Sequence, residues 1–137
     1  MRIMGVDYGD ARTGVAFSDL LCSLVGSVTV IHSRNPEKTL EELLKLAREH
    51  QVTQIVVGLP KNMDGTEGAR AELCRSFADR LREASGLPVA MWDERRTTVE
   101  AHNILSAHNY HGKKRKETVD AVAASLILEG YMAYLGR

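Results

Sequence analysis

The chain has 137 residues, the size of one ordinary domain, and its eighteen basic and eighteen acidic residues cancel, so the overall charge indicates no partner. Hydrophobic residues make up 44%, as in soluble globular proteins, and no apolar segment reaches the roughly twenty residues of a membrane span. Cys22 and Cys74 have no zinc-binding or disulfide-framework spacing. We therefore expect one soluble, cytoplasmic domain over residues 1–137 that does not associate with a membrane.

The N-terminal part of the chain predicts three consecutive strands. An apolar run over 3–6 is typical of a buried strand, and it ends at the carboxylate of Asp7. The turn over 9–12 leads into a second run, 13–18, and a β-branched third run covers 25–31. An ionised Asp at the edge of an apolar core is costly unless something pairs with it, although Asp beside a turn also commonly bonds turn amides. From this segment alone the two interpretations carry about equal weight.

Two helix–strand units follow the three strands. The pair Asn35-Pro36 is typical of a helix start, and leucines at helical spacing continue to about residue 50. A short apolar run, 54–59, is typical of a central strand that is covered on both faces. A second amphipathic helix is predicted over about 67–84, with Ser85-Gly86 as its C-terminal signal, and a fifth strand over 87–92.

The C-terminal part of the chain predicts two more helices. One begins at Thr97 or Thr98, and the other covers about 117–135. The segment between them, 109–116, is polar and basic and predicts a loop. Three meandering strands followed by right-handed crossovers predict an α/β fold with a five-stranded mixed sheet. Three of its strands are antiparallel and two are parallel, and helices flank both faces.

Acidic residues follow two of the predicted strands and begin the last helix. Asp7 follows the first strand, Asp93 and Glu94 follow the fifth, and Asp120 lies in the first turn of the last helix. Ligands bind at the carboxyl ends of parallel strands, so these acids share one edge if the first and fifth strands are parallel neighbours. Acids that converge without basic partners repel one another, and a divalent cation relieves that repulsion. Hard oxygen ligands without His or Cys favour Mg²⁺ or Mn²⁺.

Each acid also has a simpler interpretation on its own. The helix dipole favours an acid such as Asp120 at a helix N-terminus, and Asp93 and Glu94 are compatible with a solvated strand end. The combination of these acids with this strand order favours a metal site, since carboxylate-held Mg²⁺ is typical of phosphodiester hydrolysis.

Four groups of short stretches stand out: Gly5-Val6-Asp7-Tyr8-Gly9 through Arg12-Thr13-Gly14-Val15-Ala16, Val57-Gly58-Leu59-Pro60 with Asn62 and Asp64-Gly65, Asp93-Glu94-Arg95-Arg96-Thr97-Thr98, and Asp120-Ala121-Val122-Ala123-Ala124. Together they resemble the YqgF family, whose members are assigned to Holliday junction resolution or to pre-16S rRNA maturation. The match extends over about 2–131, and the order of elements resembles the RNase H-like fold. The second and third groups are specific in combination, whereas the first alone would be weak.

The resemblance implies a metal-dependent endonuclease, a hydrolase that acts on ester bonds. Asp7, Glu94 and Asp120 would be the catalytic acids and would hold Mg²⁺ or Mn²⁺, with Asp93 as a further candidate ligand. The substrate would be precursor 16S rRNA, cut at its 5′ end in ribosome biogenesis, or Holliday-junction-type DNA in recombination. A junction resolvase is expected to act as a symmetric homodimer, whereas RNA trimming needs no such symmetry, so the oligomeric state is left open.

Basic and polar residues near the predicted site form a candidate nucleic-acid surface. The cations at 113–116 would each neutralise a phosphate without reading sequence, although a basic run is otherwise usually a solvated loop. Arg12 either pairs with an acid or holds a phosphate. Asn62 either lies against phosphate or belongs to an ordinary loop in which Thr66 caps the next helix. The full candidate set is Arg12, Asn62, Arg95, Arg96, Lys113, Lys114, Arg115 and Lys116.

Two other classes of function remain open from the sequence. The stretch Asp7-Tyr8-Gly9 followed by 12–15 also resembles the first phosphate hairpin of actin-like ATPases and sugar kinases, which share the fold. Those proteins need a second lobe to enclose a nucleotide, and 137 residues do not supply one. A nucleic-acid-binding module without catalysis is the other alternative. It is disfavoured because all three acids are present.

Overall fold

The computed structural model describes residues 1–94 and 112–136, with the backbone alone described for 112–118. The helix predicted from Thr97 or Thr98, together with Arg95 and Arg96, lies outside the described residues. Within them the chain forms five strands and three helices. These are β1 (Ile3–Asp7), β2 (Arg12–Ser18), β3 (Val25–His32), α1 (Pro36–Glu49), β4 (Gln54–Leu59), α2 (Ala69–Ser85), β5 (Val89–Asp93) and α3 (Gly112–Leu135).

The strands form one mixed sheet in the order β3-β2-β1-β4-β5. β1, β2 and β3 pair antiparallel, while β1, β4 and β5 pair parallel. This confirms the predicted architecture of an antiparallel meander continued by two parallel strands. β1 and β5 are parallel but are not neighbours, because β4 lies between them. Acids at the ends of β1 and β5 therefore lie at the same edge of the sheet, but they can meet only if a side chain crosses the end of β4.

The two faces of the sheet carry different side chains, because alternate residues of a strand point to opposite faces. Met4, Val6, Val15 and Val57 belong to one buried cluster with residues of α1 and α2. Ile3, Ala16 and Val56 belong to a second cluster with the buried residues of α3. The two clusters make the sheet the middle layer between α1 and α2 on one side and α3 on the other. No helix in the described part of the chain is long and apolar enough to cross a bilayer.

The helix boundaries confirm some of the sequence signals and correct others. Asn35 is the N-cap of α1, and its side chain accepts a hydrogen bond from the Glu37 amide at 2.9 Å. Gly86 ends α2 in the left-handed conformation at φ 70°, which glycine adopts without steric cost. The prediction that Thr66 caps α2 is wrong, because the N-cap is Gly68 and it makes no side-chain capping bond.

The last helix begins earlier than predicted. α3 starts at Gly112, so the basic segment 113–116 is helical rather than part of a loop. Lysine and arginine are good helix formers, and nothing in Lys-Lys-Arg-Lys interrupts a helix once it has started. The polar composition that indicated a loop is therefore compatible with the first turn of α3.

Candidate active site

Asp7 lies at the end of β1 between two glycines on the neighbouring strands. The register of β1 with β2 pairs Asp7 with Gly14. The register of β1 with β4 pairs Val6 with Val57, so one step further along places Gly58 beside Asp7. Neither neighbour has a side chain, and Asp7 is therefore the only one of the three that projects a functional group at this level of the sheet.

Glu94 reaches the same point from the far side of β4. Its backbone amide donates a hydrogen bond to the Leu59 carbonyl at 3.1 Å, which continues the pairing of β5 with β4 by one residue. A Cβ atom built on Gly58 would lie closer than 3.0 Å to Oε2 of Glu94. The Glu94 carboxylate therefore occupies the space that any other residue at position 58 would fill. This glycine is what lets an acid from β5 approach Asp7 across the intervening strand.

The alternation along β5 separates Asp93 from Glu94. Met91 packs against the cluster under α1 and α2, and Trp92 packs against the cluster under α3. The same alternation puts Asp93 on the α1 and α2 side and Glu94 on the α3 side, which is the side of Asp7. A role for Asp93 in metal binding stays a prediction, and its side chain leaves the strand from the opposite face.

Asp120 comes to the site on α3, and Gly14, the glycine on β2 beside Asp7, lets that helix approach the sheet closely. A Cβ atom built on Gly14 would lie closer than 3.0 Å to the Asp120 carbonyl oxygen, so the helix backbone rests directly on β2. Nε of Arg12 donates a hydrogen bond to Oδ2 of Asp120 at 2.9 Å. Of the two roles expected for Arg12, the structure shows the pairing with an acid.

The surroundings of Asp7 and Glu94 disfavour their ionised forms. Burial raises the pKa of Asp7, the carboxylates of Glu94 and Asp120 raise it further, and Arg70 partly offsets them. Burial also raises the pKa of Glu94, with Arg70 acting against it and Asp93 with it. Acids whose pKa values are raised by burial and by neighbouring carboxylates are common at functional sites, which makes Asp7 and Glu94 candidates for such a site.

The donor set fits a hard divalent cation. Asp7 and Glu94 offer carboxylate oxygens, which Mg²⁺ and Mn²⁺ prefer. A cation would stabilise the ionised forms that burial disfavours, and it would offset the repulsion that Asp7 experiences from Glu94 and Asp120. Among the described residues, however, no three His, Cys, Asp or Glu side chains are arranged as a common set of ligands. The observed geometry brings Asp7 and Glu94 together, while the carboxylate of Asp120 is bonded to Arg12.

Arg70, in the first turn of α2, is a residue at this edge that the sequence did not reveal. Its Nη1 donates to Oδ1 of Asp10 at 2.8 Å, and its Nη2 donates to the Tyr8 carbonyl. It is also the cation that lowers the pKa values of both Asp7 and Glu94. An arginine at the start of an amphipathic helix gives no local signal of this role, because its partners lie about sixty residues away in the chain.

The loop that contains Asn62 is held by its own polar residues. The Asn62 side chain donates to Oγ1 of Thr66 at 3.0 Å, and the Thr66 amide donates to Oδ1 of Asp64 at 2.9 Å. These contacts explain the polar residues as turn-forming groups. A contact of Asn62 with nucleic acid stays a prediction, as do those of the cations at 113–116, whose side chains are not described, and of Arg95 and Arg96.

A family model described as RuvX, Holliday junction resolvase, matches residues 1–134, and the chain therefore belongs to this family. The resemblance to the YqgF family is thereby confirmed. A relative from Halothermothrix orenii is 49% identical over 137 residues, covering all of this chain and 98% of the relative. One from Carboxydothermus hydrogenoformans is 44% identical, covering all of this chain and 99% of the relative. Both are named "Putative pre-16S rRNA nuclease".

Solved structures show the same fold at low sequence identity. Thermus thermophilus RuvC in complex with a Holliday junction substrate is 13% identical with a TM-score of 0.63, over 99% of this chain and 96% of that one. The Holliday junction resolvase of fowlpox virus is 14% identical with a TM-score of 0.62, over 98% and 99%. The predicted RNase H-like fold is confirmed. A ROK family protein from Streptococcus pneumoniae is 20% identical with a TM-score of 0.53, but only 39% of its length is matched.

Proposed function

We propose that this member of the RuvX family is a divalent-metal-dependent endonuclease that hydrolyses phosphodiester bonds in nucleic acid. Asp7 and Glu94 are the principal catalytic and metal-binding carboxylates, and Asp120 is the third. The observation that carries the proposal is the approach of Glu94 to Asp7 over Gly58, in a desolvated position that raises the pKa values of both acids.

The acids and Arg12 would have different roles in such a reaction. A divalent ion bound here would stabilise the charge on the phosphate and lower the pKa of the attacking water. Asp7 and Glu94 would hold it, one fixed by the central strand and the other by the continued pairing of β5 with β4. Arg12 orients the Asp120 carboxylate through a hydrogen bond from its Nε. The protein thus orients its acids before the substrate arrives, which avoids reorganisation during the reaction.

Precursor 16S rRNA, cut at its 5′ end, is the substrate that we propose first. It is supported by the names of relatives that match this chain over its whole length at 49% and 44% identity. Holliday-junction-type DNA is the second candidate, and the description of the matching family favours it. In either case the cations at 113–116, with Arg95 and Arg96, would contact phosphates, and the protein would act where ribosomes are assembled or DNA recombines.

The decisive experiment presents labelled precursor rRNA and labelled four-way junctions to the same protein with Mn²⁺. We expect Asp7→Asn to reduce cleavage of the true substrate at least about 1000-fold, because it removes a metal-binding charge from the centre of the site. Binding of the uncut nucleic acid, measured by fluorescence anisotropy with Ca²⁺ in place of Mn²⁺, should change less than about threefold, since the phosphate contacts remain.

Asp79→Asn is the matched control for that experiment. Asp79 is an exposed acid on α2 that pairs with Arg82 at 2.7 Å, so losing its charge should leave cleavage unchanged. Undiminished Mn²⁺-dependent cleavage by Asp7→Asn would remove Asp7 from the mechanism. Binding of both nucleic acids without cleavage by the unaltered protein would instead support a non-catalytic binding module.

A further inference from the structure

Arg70 holds the backbone immediately after Asp7 from two directions. Its two terminal nitrogens bond the Tyr8 carbonyl and the Asp10 carboxylate, which flank Gly9 at the top of the turn between β1 and β2. Its guanidinium carbon lies 5.6 Å from the centre of the Tyr8 ring. The same ring stacks on Phe77, which lies about two turns after Arg70 on α2, with ring centres 4.0 Å apart. Both residues that hold Tyr8 therefore come from one helix.

The turn that follows Asp7 is braced at its other end as well. A Cβ atom on Gly9 would lie closer than 3.0 Å to the Arg12 carbonyl, so the turn is tight. The Gly9 amide donates to Oγ1 of Thr13 at 3.3 Å. The side chain of Arg12 then ties the far end of the turn to Asp120 on α3. Asp7 thus precedes a short turn that is fixed to α2 at one end and to α3 at the other.

We propose that Arg70 is a positioning residue for Asp7, an inference that rests on the proposed nuclease function. It acts through the Tyr8 carbonyl and Asp10, and it sets where the Asp7 carboxylate sits relative to Glu94. A planar guanidinium bonds two acceptors in a fixed geometry, which an ammonium group on a flexible stem does not reproduce. The role therefore requires arginine at this position and not merely a positive charge.

The test compares Arg70→Lys with Arg75→Lys in the full-length protein. Arg75 lies on the same helix and pairs through two nitrogens with Glu67, at 2.6 and 2.8 Å, so it is a matched ion pair away from the turn. We expect Arg70→Lys to lower kcat about 10- to 100-fold, the cost of small misplacements of a reacting group, with KM changed less than twofold. Arg75→Lys should leave both constants unchanged.

Amide hydrogen exchange of the unliganded protein supplies a readout that needs no activity. Arg70→Lys should speed exchange at least about fivefold in peptides that cover residues 8–12, because the hydrogen bonds from position 70 to the Tyr8 carbonyl and to Asp10 are both weakened. The remainder of the sheet should exchange as in the unaltered protein, and Arg75→Lys should leave residues 8–12 unaffected. This part of the experiment is informative even if neither nucleic acid is cut.

Three results would overturn the proposal. Wild-type kcat in Arg70→Lys would show that charge alone suffices, and unchanged exchange at residues 8–12 would show that Arg70 does not hold the turn. A lower melting temperature with normal kcat per folded molecule would make Arg70 structural only. If the unaltered protein cuts nothing while the exchange result holds, the nuclease assignment fails and the positioning of the Asp7 turn by Arg70 stands.

Discussion

The two faces of the sheet are built from the same strands but serve different ends. The face under α1 and α2 presents large side chains, including the fully buried Met4, Val6, Val15 and Ile55, against Leu43 and other residues of the helices. The face under α3 presents glycines on three neighbouring strands, at positions 5, 14 and 58, each without room for a Cβ atom. On one face, the filled face, large strand side chains pack against the helices. On the other, the open face, the strands lack side chains along a line of glycines, and α3 and the Glu94 carboxylate approach the strand backbones there instead.

This difference shows how a small domain brings charged groups close to the backbone of its sheet. A Cβ on Gly5 would lie 2.9 Å from Cβ of Leu128, so α3 approaches the sheet closely there. At Gly14 the close approach brings the backbone of Asp120, and at Gly58 it brings the carboxylate of Glu94. The larger of the two buried clusters lies on the other face, where apolar burial stabilises the fold. Stability and chemistry are therefore separable by mutation.

Removing a large side chain from the filled face should have the largest effect on stability. Leu43 of α1 is fully buried, so Leu43→Ala leaves a cavity and should lower the free energy of unfolding by about 2–5 kcal/mol. Urea unfolding monitored by circular dichroism measures the loss. Cleavage per folded molecule, corrected with an active-site titration, should stay within about twofold of the unaltered protein. A large fall in kcat would mean that the two faces are not separable.

Adding a side chain at a glycine of the open face should have the opposite effect, with a large loss of activity and a small loss of stability. In Gly58→Ala the new methyl group displaces the far ends of the Glu94 and Ile127 side chains, which can move without shifting the backbone. We expect cleavage to fall about 100-fold, or about 2.7 kcal/mol in transition-state free energy, with at most about 1 kcal/mol lost from stability. Steady-state kinetics and urea unfolding on the same samples test both statements.

Gly26→Ala is the matched control for Gly58→Ala. Gly26 is also a strand glycine, but it is exposed on β3 and a Cβ there meets nothing closer than 3.7 Å. Stability should be unchanged or slightly improved, since alanine restricts the unfolded chain. Cleavage should be unchanged. Equal losses of activity in both variants would mean that strand glycines matter for backbone flexibility rather than for the space that Glu94 occupies.

The sequence predicted those features that depend on local patterns. Apolar runs bounded by turn signals predicted the strands and the change from antiparallel to parallel pairing, and the acids after the first and fifth runs pointed to Asp7 and Glu94 as candidate site residues. Asn35 and Gly86 were readable as helix ends because capping is a local interaction. The start of α3 was missed because a basic segment is compatible with either a loop or a helix, and packing decides between them.

The features that could not be predicted depend on neighbours distant in the chain. The role of Gly14 and Gly58 is evident only from the strand register, which places them on either side of Asp7. The pairing of Arg12 with Asp120 joins residues 108 positions apart, and nothing in either segment distinguishes an ion pair from a phosphate contact. Whether Asp93 lies beside Glu94 at the site depends on which face of β5 each side chain takes. The sequence does not show which face α3 covers, because β5 is apolar on both faces.

The two acids at the open face should also make the stability of the metal-free protein depend on pH. The pKa of Asp7 is raised to about 8 and that of Glu94 to about 7, so the folded protein binds protons that the unfolded chain has already lost. The stability that these protonated acids contribute is complete below their unfolded pKa values near 4 and is lost as pH rises through the folded values. Between pH 5 and 7, in EDTA, the free energy of unfolding should therefore fall with pH.

Replacing one acid tests the origin of that fall. Asp7→Asn should reduce the slope by about 1 kcal/mol per pH unit, because it removes one group that is protonated in the folded protein and ionised in the unfolded chain over this range. Urea unfolding at pH 5, 6 and 7 measures the slope, and Asp79→Asn, which alters an exposed acid, should run parallel to the unaltered protein. Parallel curves for Asp7→Asn would locate the pH dependence elsewhere. Because only the ionised acids bind a cation, Mn²⁺ should stabilise the unaltered protein more at pH 7 than at pH 5.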